Sequence, residues 1–315
     1  AFGFIGSHLT EFLVKKNYNV IAFDKYNIDN SYGWLENSKL KKNIEFILGD
    51  VRDFDSVFKA MKGVKKCIHL AALISIPYSY TSPLAYLKTN TEGSYNVLEA
   101  AKMLQIDDTI VTSTSEIYGS AQYSPMDELH PISPQSPYAA SKVAADQLAL
   151  SYFKSFDLPV KIARPFNVFG PRQSPRAIVA SIINQLLVGD KLRIGNLDVS
   201  RDLTYIDDTI DGFYKILKSK KIFGEVINIG SNNNIKIKEI VKIVSDTLNC
   251  KPKLVIENKR LRPNKSEVSK LICNNTKIKK RLKWDNKISF KKGIQNTIEW
   301  NKKNYSEFKK SHYYV

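Results

Sequence analysis

The sequence is poor in cysteine and contains no CxxC pair. Its three cysteines, Cys67, Cys250 and Cys273, are odd in number and widely spaced. Such a set is not typical of a disulfide framework or of a zinc site, and the four histidines do not cluster along the chain. The sequence therefore predicts no metal site and a reducing, cytoplasmic environment.

Long apolar runs are also absent. A transmembrane helix needs roughly 20 consecutive apolar residues, and no stretch of the sequence approaches this length. Hydrophobic residues make up 43% of the chain and charged residues 25%, which is ordinary for a folded protein with a buried core. We therefore expect no membrane partner.

Acidic residues are scarce relative to basic ones. There are 31 Asp and Glu against 48 Lys and Arg, a formal net charge of +17. This balance is compatible with a nucleic-acid partner. Much of the excess, however, lies in Lys-rich stretches that alternate with Asn and Ile and carry no interleaved aromatic residues. They are typical of a solvated surface that also attracts anionic substrates, so we predict no nucleic-acid partner.

Short apolar runs alternate with amphipathic stretches in the first half of the chain. This alternation predicts an α/β fold with a doubly wound parallel sheet, in which helices cover both faces. Ligands of such sheets bind at the carboxyl ends of the strands. The strand-like runs are Val20–Phe23, Ile44–Leu48, Cys67–Leu70, Thr109–Val111 and Val160–Ala163, and the helix-like stretches are Ser7–Lys16, Asp55–Lys62, Leu84–Leu104 and Tyr138–Phe156.

The rhythm loosens after residue 165, which predicts a second, smaller α/β domain. We expect a dinucleotide-binding domain at 1–165 that also takes in part of 203–230, and a substrate-binding domain mainly at 166–315. The border is therefore expected to be interleaved. The helix-like stretches here are Ala177–Val188, Ile210–Lys218 and Ile237–Leu248, the strand-like ones Leu203–Ile206 and Val226–Ile229, and a Lys/Asn-rich region follows.

A phosphate-binding loop is predicted at the first residues. Gly3-Phe4-Ile5-Gly6 directly precedes an amphipathic helix, whose backbone N–H groups attract a diphosphate. The next strand ends in Asp24, which can accept hydrogen bonds from both ribose hydroxyls of NAD and would repel the 2'-phosphate of NADP. Because the expected first strand and first loop glycine do not precede Gly3, we also predict a further N-terminal segment of about ten residues.

Three later segments also suit a dinucleotide. Asp50 and Val51 follow the second strand, where Asp50 could reach the adenine amino group. Leu70-Ala71-Ala72 follows the next strand, and its small residues would let the backbone approach the cofactor. Thr89-Asn90 lies in a helix nearby. Each of these residues equally suits a structural role.

Tyr138 and Lys142 open a long helix at a spacing of i, i+4, which places both side chains on one face. An ammonium beside a phenol lowers the phenol pKa, so that the phenolate can remove a hydroxyl proton. Thr114, Ser115 and Glu116 follow the strand that ends at Val111. We predict that Thr114 bonds the same hydroxyl and that Glu116 supplies a carboxylate, although Glu116 also suits a helix cap or an ion pair.

Several motifs together resemble the extended short-chain dehydrogenase/reductase superfamily. They are Gly3-Phe-Ile-Gly-Ser-His, Ser113-Thr-Ser-Glu-Ile-Tyr-Gly, Ser136-Pro-Tyr-Ala-Ala-Ser-Lys, Arg164-Pro-Phe-Asn-Val-Phe-Gly-Pro-Arg172 and Arg201-Asp-Leu-Thr-Tyr-Ile-Asp-Asp208. The resemblance covers nearly the whole chain and implies a Rossmann-type fold. With Glu116 after Thr-Ser, the sequence is similar to the NAD-dependent nucleotide-sugar 4,6-dehydratases. Two stretches, Gly119–Glu128 and Gly170–Ala177, are most similar to the nucleotide-N-acetylglucosamine 4,6-dehydratases of legionaminic acid synthesis.

The resemblance implies a mechanism. Tyr138 takes the 4-hydroxyl proton while hydride moves from C4 to NAD, and Glu116 then removes the acidified C5 proton as water leaves from C6. Hydride returns to C6, giving a 4-keto-6-deoxy sugar. Glucose-type enzymes carry an Asp before the Glu as the acid, whereas this chain has Ser115, as in the GDP-mannose type. Glu116 would then serve as both base and acid.

The resemblance also implies substrate-binding residues and an assembly. Asn167 would contact the sugar or its phosphates, Arg201 and Arg262 would bind the diphosphate through their bidentate forks, and Arg172 is a further candidate. Each arginine also suits a surface ion pair. The helices predicted at 84–104 and 138–156 would form a four-helix homodimer interface.

Three other functions remain open at this point. A nucleotide-sugar 4-epimerase shares Tyr138, Lys142 and Thr114 but needs no carboxylate at Glu116. A UDP-glucuronate decarboxylase also carries Thr-Ser-Glu, although its tyrosine segment usually differs. A catalytically silent NAD-binding protein with a basic docking surface would not need an intact Tyr138, Lys142 and Glu116.

Overall fold

The computed structural model describes residues 1–257, 260, 263, 266–268 and 270–304. Within these residues, no helix has the length and apolar character needed to cross a bilayer. The strands are β1 Val20–Lys25, β2 Ile44–Gly49, β3 Lys66–His69, β4 Asp108–Thr112, β5 Val160–Pro165, β6 Asn167–Phe169, β7 Lys191–Ile194, β8 Ser200–Arg201, β9 Leu203–Tyr205, β10 Val226–Ile229, β11 Ile235–Lys236, β12 Lys253–Ile256 and β13 Lys270–Leu271.

The helices alternate with these strands. They are α1 Phe4–Lys15, α2 Phe54–Met61, α3 Ile76–Thr81, α4 Pro83–Tyr86, α5 Gly93–Met103, α6 Pro137–Phe156, α7 Ile178–Val188, α8 Ile206–Lys218, α9 Ile237–Leu248, α10 Thr276–Leu282 and α11 Phe290–Lys303. A π-helical turn, Leu87–Glu92, joins α4 to α5, and a 3-10 turn, Ser115–Tyr118, follows β4.

The strands of the first half form parallel sheets. The order β10-β5-β4-β3 gives a four-stranded parallel sheet, and β1 pairs with β2 in parallel. This is a Rossmann-type α/β fold, as the sequence predicts. Among the described strands, β1 pairs only with β2, and β3 pairs only with β4. The strand expected before residue 1 stays a prediction.

Helices cover both faces of the four-stranded sheet, and the two-residue period of a strand explains how. Neighbouring residues of a strand point to opposite faces. Ile110 of β4 accordingly lies in one apolar core with α1 and α8, while the next residue, Val111, lies in a second core with α2, α5 and α6. Consecutive apolar residues such as Ile110 and Val111 occur in this sheet because both of its faces are buried.

A buried ion cluster joins the amino ends of three strands. The Asp108 carboxylate on β4 lies 2.8 Å from the Lys161 ammonium on β5 and 3.1 Å from that of Lys66 on β3. Lys161 also donates to the carbonyl oxygen of Ile216 at the end of α8. A cation is favourable there because carbonyl oxygens at a helix C-terminus lack helical partners.

The second half adds a smaller α/β layer. Helices α7, α9 and α11 contact one another, and β7 pairs with β12 in parallel. Their buried residues continue the core of α1 and α8 without a break, while β10 joins the first sheet beside β5. The chain therefore crosses between the layers, although the predicted domain limits themselves stay a prediction.

Candidate active site

The predicted phosphate loop lies at the N-terminus of α1. Gly3 is the residue before the helix, and its carbonyl oxygen accepts the N–H of Ser7. A Cβ at Gly6 would clash with the backbone of Ala1, so close packing requires this glycine. A Cβ at Gly3 would meet no atom within 4 Å, so the space in front of the helix is open. Phe4 and Ile5 are partly buried against the core.

Asp24 lies on β1, beside this loop. Its carboxylate accepts the backbone N–H of Phe2 at 2.6 Å and that of Lys25 at 2.7 Å. The acidic residue and the start of the loop are therefore adjacent, as the spacing in the sequence predicts. The side chain is half-buried.

Two other predicted cofactor residues have protein partners. The Asp50 carboxylate accepts hydrogen bonds from the Arg52 side chain, the shorter at 2.5 Å. Val51 is buried among α2 and α5, and its carbonyl oxygen accepts the side-chain amide of Asn96. The structure therefore shows Val51 as a core residue next to the edge of β2.

The segment after β3 is held by Asn90, the neighbour of Thr89 in the predicted cofactor segment. Asn90 is fully buried in the π-helical turn, accepts the N–H of Leu73 at 2.8 Å and donates to its carbonyl oxygen at 2.9 Å. It also donates to Ser141 on α6. The residues just before these hydrogen bonds, Leu70, Ala71 and Ala72, are partly buried, as is Thr89.

Tyr138 lies in the first turn of α6, which begins at Pro137 and is capped by Ser136. Its ring packs edge-on against Tyr86 and its hydroxyl is hydrogen-bonded to Thr114. Burial raises the pKa of Tyr138 well above its usual range, and the charge of Glu116 acts in the same direction. The phenol is therefore protonated unless a nearby cation offsets these effects.

Lys142 lies one helical turn further along α6 and is buried. Its ammonium donates to the carbonyl oxygen of Thr112 at 2.5 Å. Burial lowers the pKa of Lys142 to about 8, against the opposing charge of Asp146. The residue therefore stays a cation near neutral pH.

Thr114, Ser115 and Glu116 turn sharply after β4. Thr114 accepts the N–H of Glu116 at 3.3 Å, which caps the 3-10 turn, and all three residues are buried. Gly119 ends the turn with a φ of 63° and no space for a Cβ, so this position requires glycine. Thr114 thus connects the Glu116 backbone to the Tyr138 hydroxyl.

The predicted substrate residues are placed differently from one another. Asn167 begins β6, and its Oδ1 is buried without a hydrogen-bond partner in the described part of the chain. The Arg201 guanidinium donates to the carbonyl oxygens of Ser200 and Val268. Arg172 pairs with Glu11 on α1, beside a cavity of about 500 Å³. Arg262 lies outside the described residues.

A buried network beneath the site was missed at the sequence level. Asp146 and Arg164 form an ion pair of 2.9 Å, and they contact Ser113 and Tyr118 at the two ends of the Thr114–Glu116 segment. The sequence held one signal for this network, because Asp146 and Arg164 lie in mostly apolar segments. Within the described residues, no group of three or more His, Cys, Asp or Glu side chains could hold a metal ion.

Comparison with known proteins decides the family. The sequence profile of the GDP-mannose 4,6 dehydratase family matches residues 1–297. The chain belongs to this family. It is 31% identical to the dTDP-D-glucose 4,6-dehydratase of Homo sapiens, over 98% of this chain and 89% of the relative. It is 30% identical to the UDP-glucuronate 4-epimerase of Thermodesulfobacterium geofontis, over 96% and 94%.

A solved member of the same group shows the same fold. The dTDP-glucose 4,6-dehydratase DesIV of Streptomyces venezuelae, determined with NAD, superposes with a TM-score of 0.88 at 27% identity, covering 97% of this chain and 96% of that one. The family therefore includes nucleotide-sugar 4,6-dehydratases and has 4-epimerases among its relatives. The resemblance to this superfamily is confirmed at that level.

Proposed function

We propose that this protein removes water from a nucleotide sugar to give the 4-keto-6-deoxy sugar. The observation that carries the proposal is the buried carboxylate of Glu116, whose charge acts on Tyr138. Epimerisation at C4 needs an acid/base group at the 4-oxygen only. Loss of water across C5 and C6 needs a second base for the C5 proton, and Glu116 fits that requirement.

Two features of the chain fit NAD as the cofactor. The open space at Gly3 suits a diphosphate at the start of α1, and Asp24 beside it suits the ribose hydroxyls. When bound, NAD supplies the acceptor and then the donor of hydride. In this proposal the cofactor is held by Gly3, Phe4, Ile5, Gly6, Asp24, Asp50, Val51, Leu70, Ala71, Ala72, Thr89, Tyr138 and Lys142.

Tyr138 is the proposed base for the 4-hydroxyl, with Thr114 bonded to the same oxygen. A buried phenol is a base only when a cation offsets its burial. Lys142 supplies that charge because it lies on the same helix face and stays protonated below a pKa of about 8. Oxidation at C4 leaves a ketone, which acidifies the C5 proton.

Glu116 is the proposed base for that C5 proton. The C6 hydroxyl leaves as water, and it requires a proton. Ser115 is not acidic enough to supply one, so Glu116 passes on the proton that it has taken from C5. The hydrogen removed from C4 ends on C6, and C5 takes up a proton from solvent at the same stage. Tyr138 returns to solvent the proton that it took from the 4-hydroxyl, so the net change is the loss of one water.

For the substrate we propose UDP- or GDP-linked N-acetylglucosamine. The support is the resemblance of the stretches from Gly119 and Gly170 to enzymes of that specificity. Among the residues that the structure describes, the buried Oδ1 of Asn167 has no hydrogen-bond partner, and it suits a sugar hydroxyl. The proposed diphosphate contacts are Arg201, Arg262 and Arg172. Two of these already have protein partners, since Arg201 donates to the Val268 carbonyl oxygen and Arg172 pairs with Glu11.

A 4-epimerase is the second candidate, favoured by the 30% identity to a UDP-glucuronate 4-epimerase. The two activities separate by product. The purified protein is incubated with UDP- and GDP-N-acetylglucosamine, dTDP-glucose and UDP-glucuronate in ordinary and deuterated water. A dehydratase product loses one water and gains a solvent deuterium at C5. Products of unchanged mass would mean epimerisation, and release of carbon dioxide would mean decarboxylation.

We also propose a homodimer through the region 84–104 and α6. Leu84, Leu87, Tyr95 and Met103 are all exposed along α4, the π-helical turn and α5, and apolar side chains exposed along one stretch of the chain suit an interaction surface. Sedimentation analysis of the wild type and of Tyr95→Glu tests this assembly. A dimer that the substitution dissociates supports it, and a monomeric wild type contradicts it.

A further inference from the structure

The segment that carries Thr114, Ser115 and Glu116 is held at both of its ends by one buried ion pair. At the first end, the Ser113 hydroxyl donates to the Asp146 carboxylate at 2.6 Å. At the other end, the Arg164 guanidinium donates to the Tyr118 hydroxyl at 2.6 Å. The carboxylate and the guanidinium are themselves 2.9 Å apart.

The supports of this pair belong to the rigid part of the fold. Asp146 lies on α6, one turn after Lys142, and Arg164 lies on β5. The Tyr118 hydroxyl also donates to Asn228 on β10, and Asn228 stands opposite Arg164 in the register of the two strands. The segment is therefore fixed to the helix and the sheet at the same time.

Stability alone gives little reason for such a pair. Asp146 and Arg164 are 1% and 2% exposed, and the cost of desolvating two charges largely cancels their attraction. Apolar residues of similar volume would hold a core as well. What apolar residues could not do is direct two hydroxyl groups, those of Ser113 and Tyr118, to fixed positions.

We propose that the Asp146–Arg164 pair is a positioning clamp that sets Thr114 and Glu116 against Tyr138 and Lys142. The inference rests on the proposed function, since it assigns a purpose to the spacing of those groups. The two ends act on different steps. Ser113 precedes Thr114, which serves oxidation at C4, whereas Tyr118 follows Glu116, which serves proton removal at C5.

The test releases one end at a time. Asp146→Asn would leave a buried cation without its counter-ion and destabilise the fold, so Ser113→Ala and Tyr118→Phe are used instead. We expect each to lower kcat by about 10- to 100-fold with a smaller change in KM, because small displacements of reacting groups are costly. Tyr152→Phe is the matched control, since its hydroxyl bonds Glu99 near the far end of α6. It should leave kcat unchanged.

Isotope effects distinguish positioning from a general structural defect. We expect Tyr118→Phe to raise the effect on kcat with 5-deuterated substrate, and Ser113→Ala to raise that with 4-deuterated substrate. A fall in kcat with both isotope effects unchanged, or no fall in kcat, would overturn the clamp.

The proposed function fails separately, if the wild type forms no keto product from any sugar nucleotide tested. The clamp is then decided by a crystal structure of the Ser113→Ala/Tyr118→Phe double variant. A displaced Glu116 carboxylate supports it, and an unmoved one overturns it.

Discussion

The Lys142 ammonium donates a hydrogen bond to the backbone carbonyl oxygen of Thr112 at 2.5 Å. Thr112 is the last residue of β4, so the cation is tied to the strand from which the Thr114–Glu116 segment departs. Both halves of the candidate site, the start of α6 and the end of β4, are joined through this contact. The position of the Lys142 ammonium is thus set by a backbone carbonyl group. Substitution of a neighbouring side chain does not remove that group.

The first prediction concerns alkaline pH. Burial lowers the pKa of Lys142 to about 8, so the ammonium is present below that pH and is lost as the pH rises through it. Without the cation the buried phenol of Tyr138 is a weaker base. We expect kcat/KM to fall on an alkaline limb near this value, measured over a pH series in which circular dichroism shows the fold intact. A kcat/KM that does not fall as the pH rises past about 8 would contradict the assignment of Lys142.

The second prediction concerns the phenol. Tyr138→Phe removes the acid/base group and the bond to Thr114 but keeps the ring that packs against Tyr86. We expect turnover to fall by at least about 100-fold, which is the lower range for general acid–base catalysis. The thermal midpoint should change little. Unchanged turnover would remove Tyr138 from the mechanism.

The third prediction separates the two proton transfers. Glu116→Gln keeps the volume of the buried side chain but removes its basicity. We expect loss of water to cease while NAD binding, measured by calorimetry, stays at the wild-type affinity. Deuterium uptake at C5 should disappear in the same variant. Formation of the keto product at near the parent rate would show that another group is the base.

Much of the sheet could be predicted because its signals are local. The runs that begin at Val160 and Val226 are mostly apolar, and they start the strands β5 and β10. The i, i+4 spacing of Tyr138 and Lys142 holds wherever the segment is helical, so their common face followed from the sequence. The glycine loop and Asp24 likewise follow from a fixed order of helix and strand.

The features that could not be predicted depend on contacts between residues far apart in the sequence. A single helix was predicted at 84–104, but the structure interrupts it with a π-helical turn where Asn90 bonds the backbone of Leu73. The helix predicted from Ile210 instead begins at Ile206. Asp146 and Arg164 are 18 positions apart and bond Ser113 and Tyr118, and no periodicity predicts such a network.

The C-terminal helix α11 was missed for a different reason. Its signals were readable, because Ser289 caps the helix and Ile294 and Ile298 repeat at i, i+4 on the buried face. The surrounding lysines and asparagines concealed this pattern and favoured a solvated region. The apolar period of α11 was therefore a better guide to its structure than its Lys/Asn-rich composition.

The last prediction concerns stability at the amino ends of the strands. Asp108→Asn leaves Lys161, which is fully buried, without its counter-ion beside the Ile216 carbonyl oxygen. Breaking a buried pair in this way typically costs about 3–5 kcal/mol. Lys66→Met removes the partly exposed partner of the same carboxylate and should cost less than about 1 kcal/mol. Urea denaturation of both variants measures the free energy of unfolding, and equal losses would show that the pair with Lys161 has no special weight. Activity at a temperature where both variants are folded should match the wild type, since the cluster lies at the opposite strand ends from Tyr138.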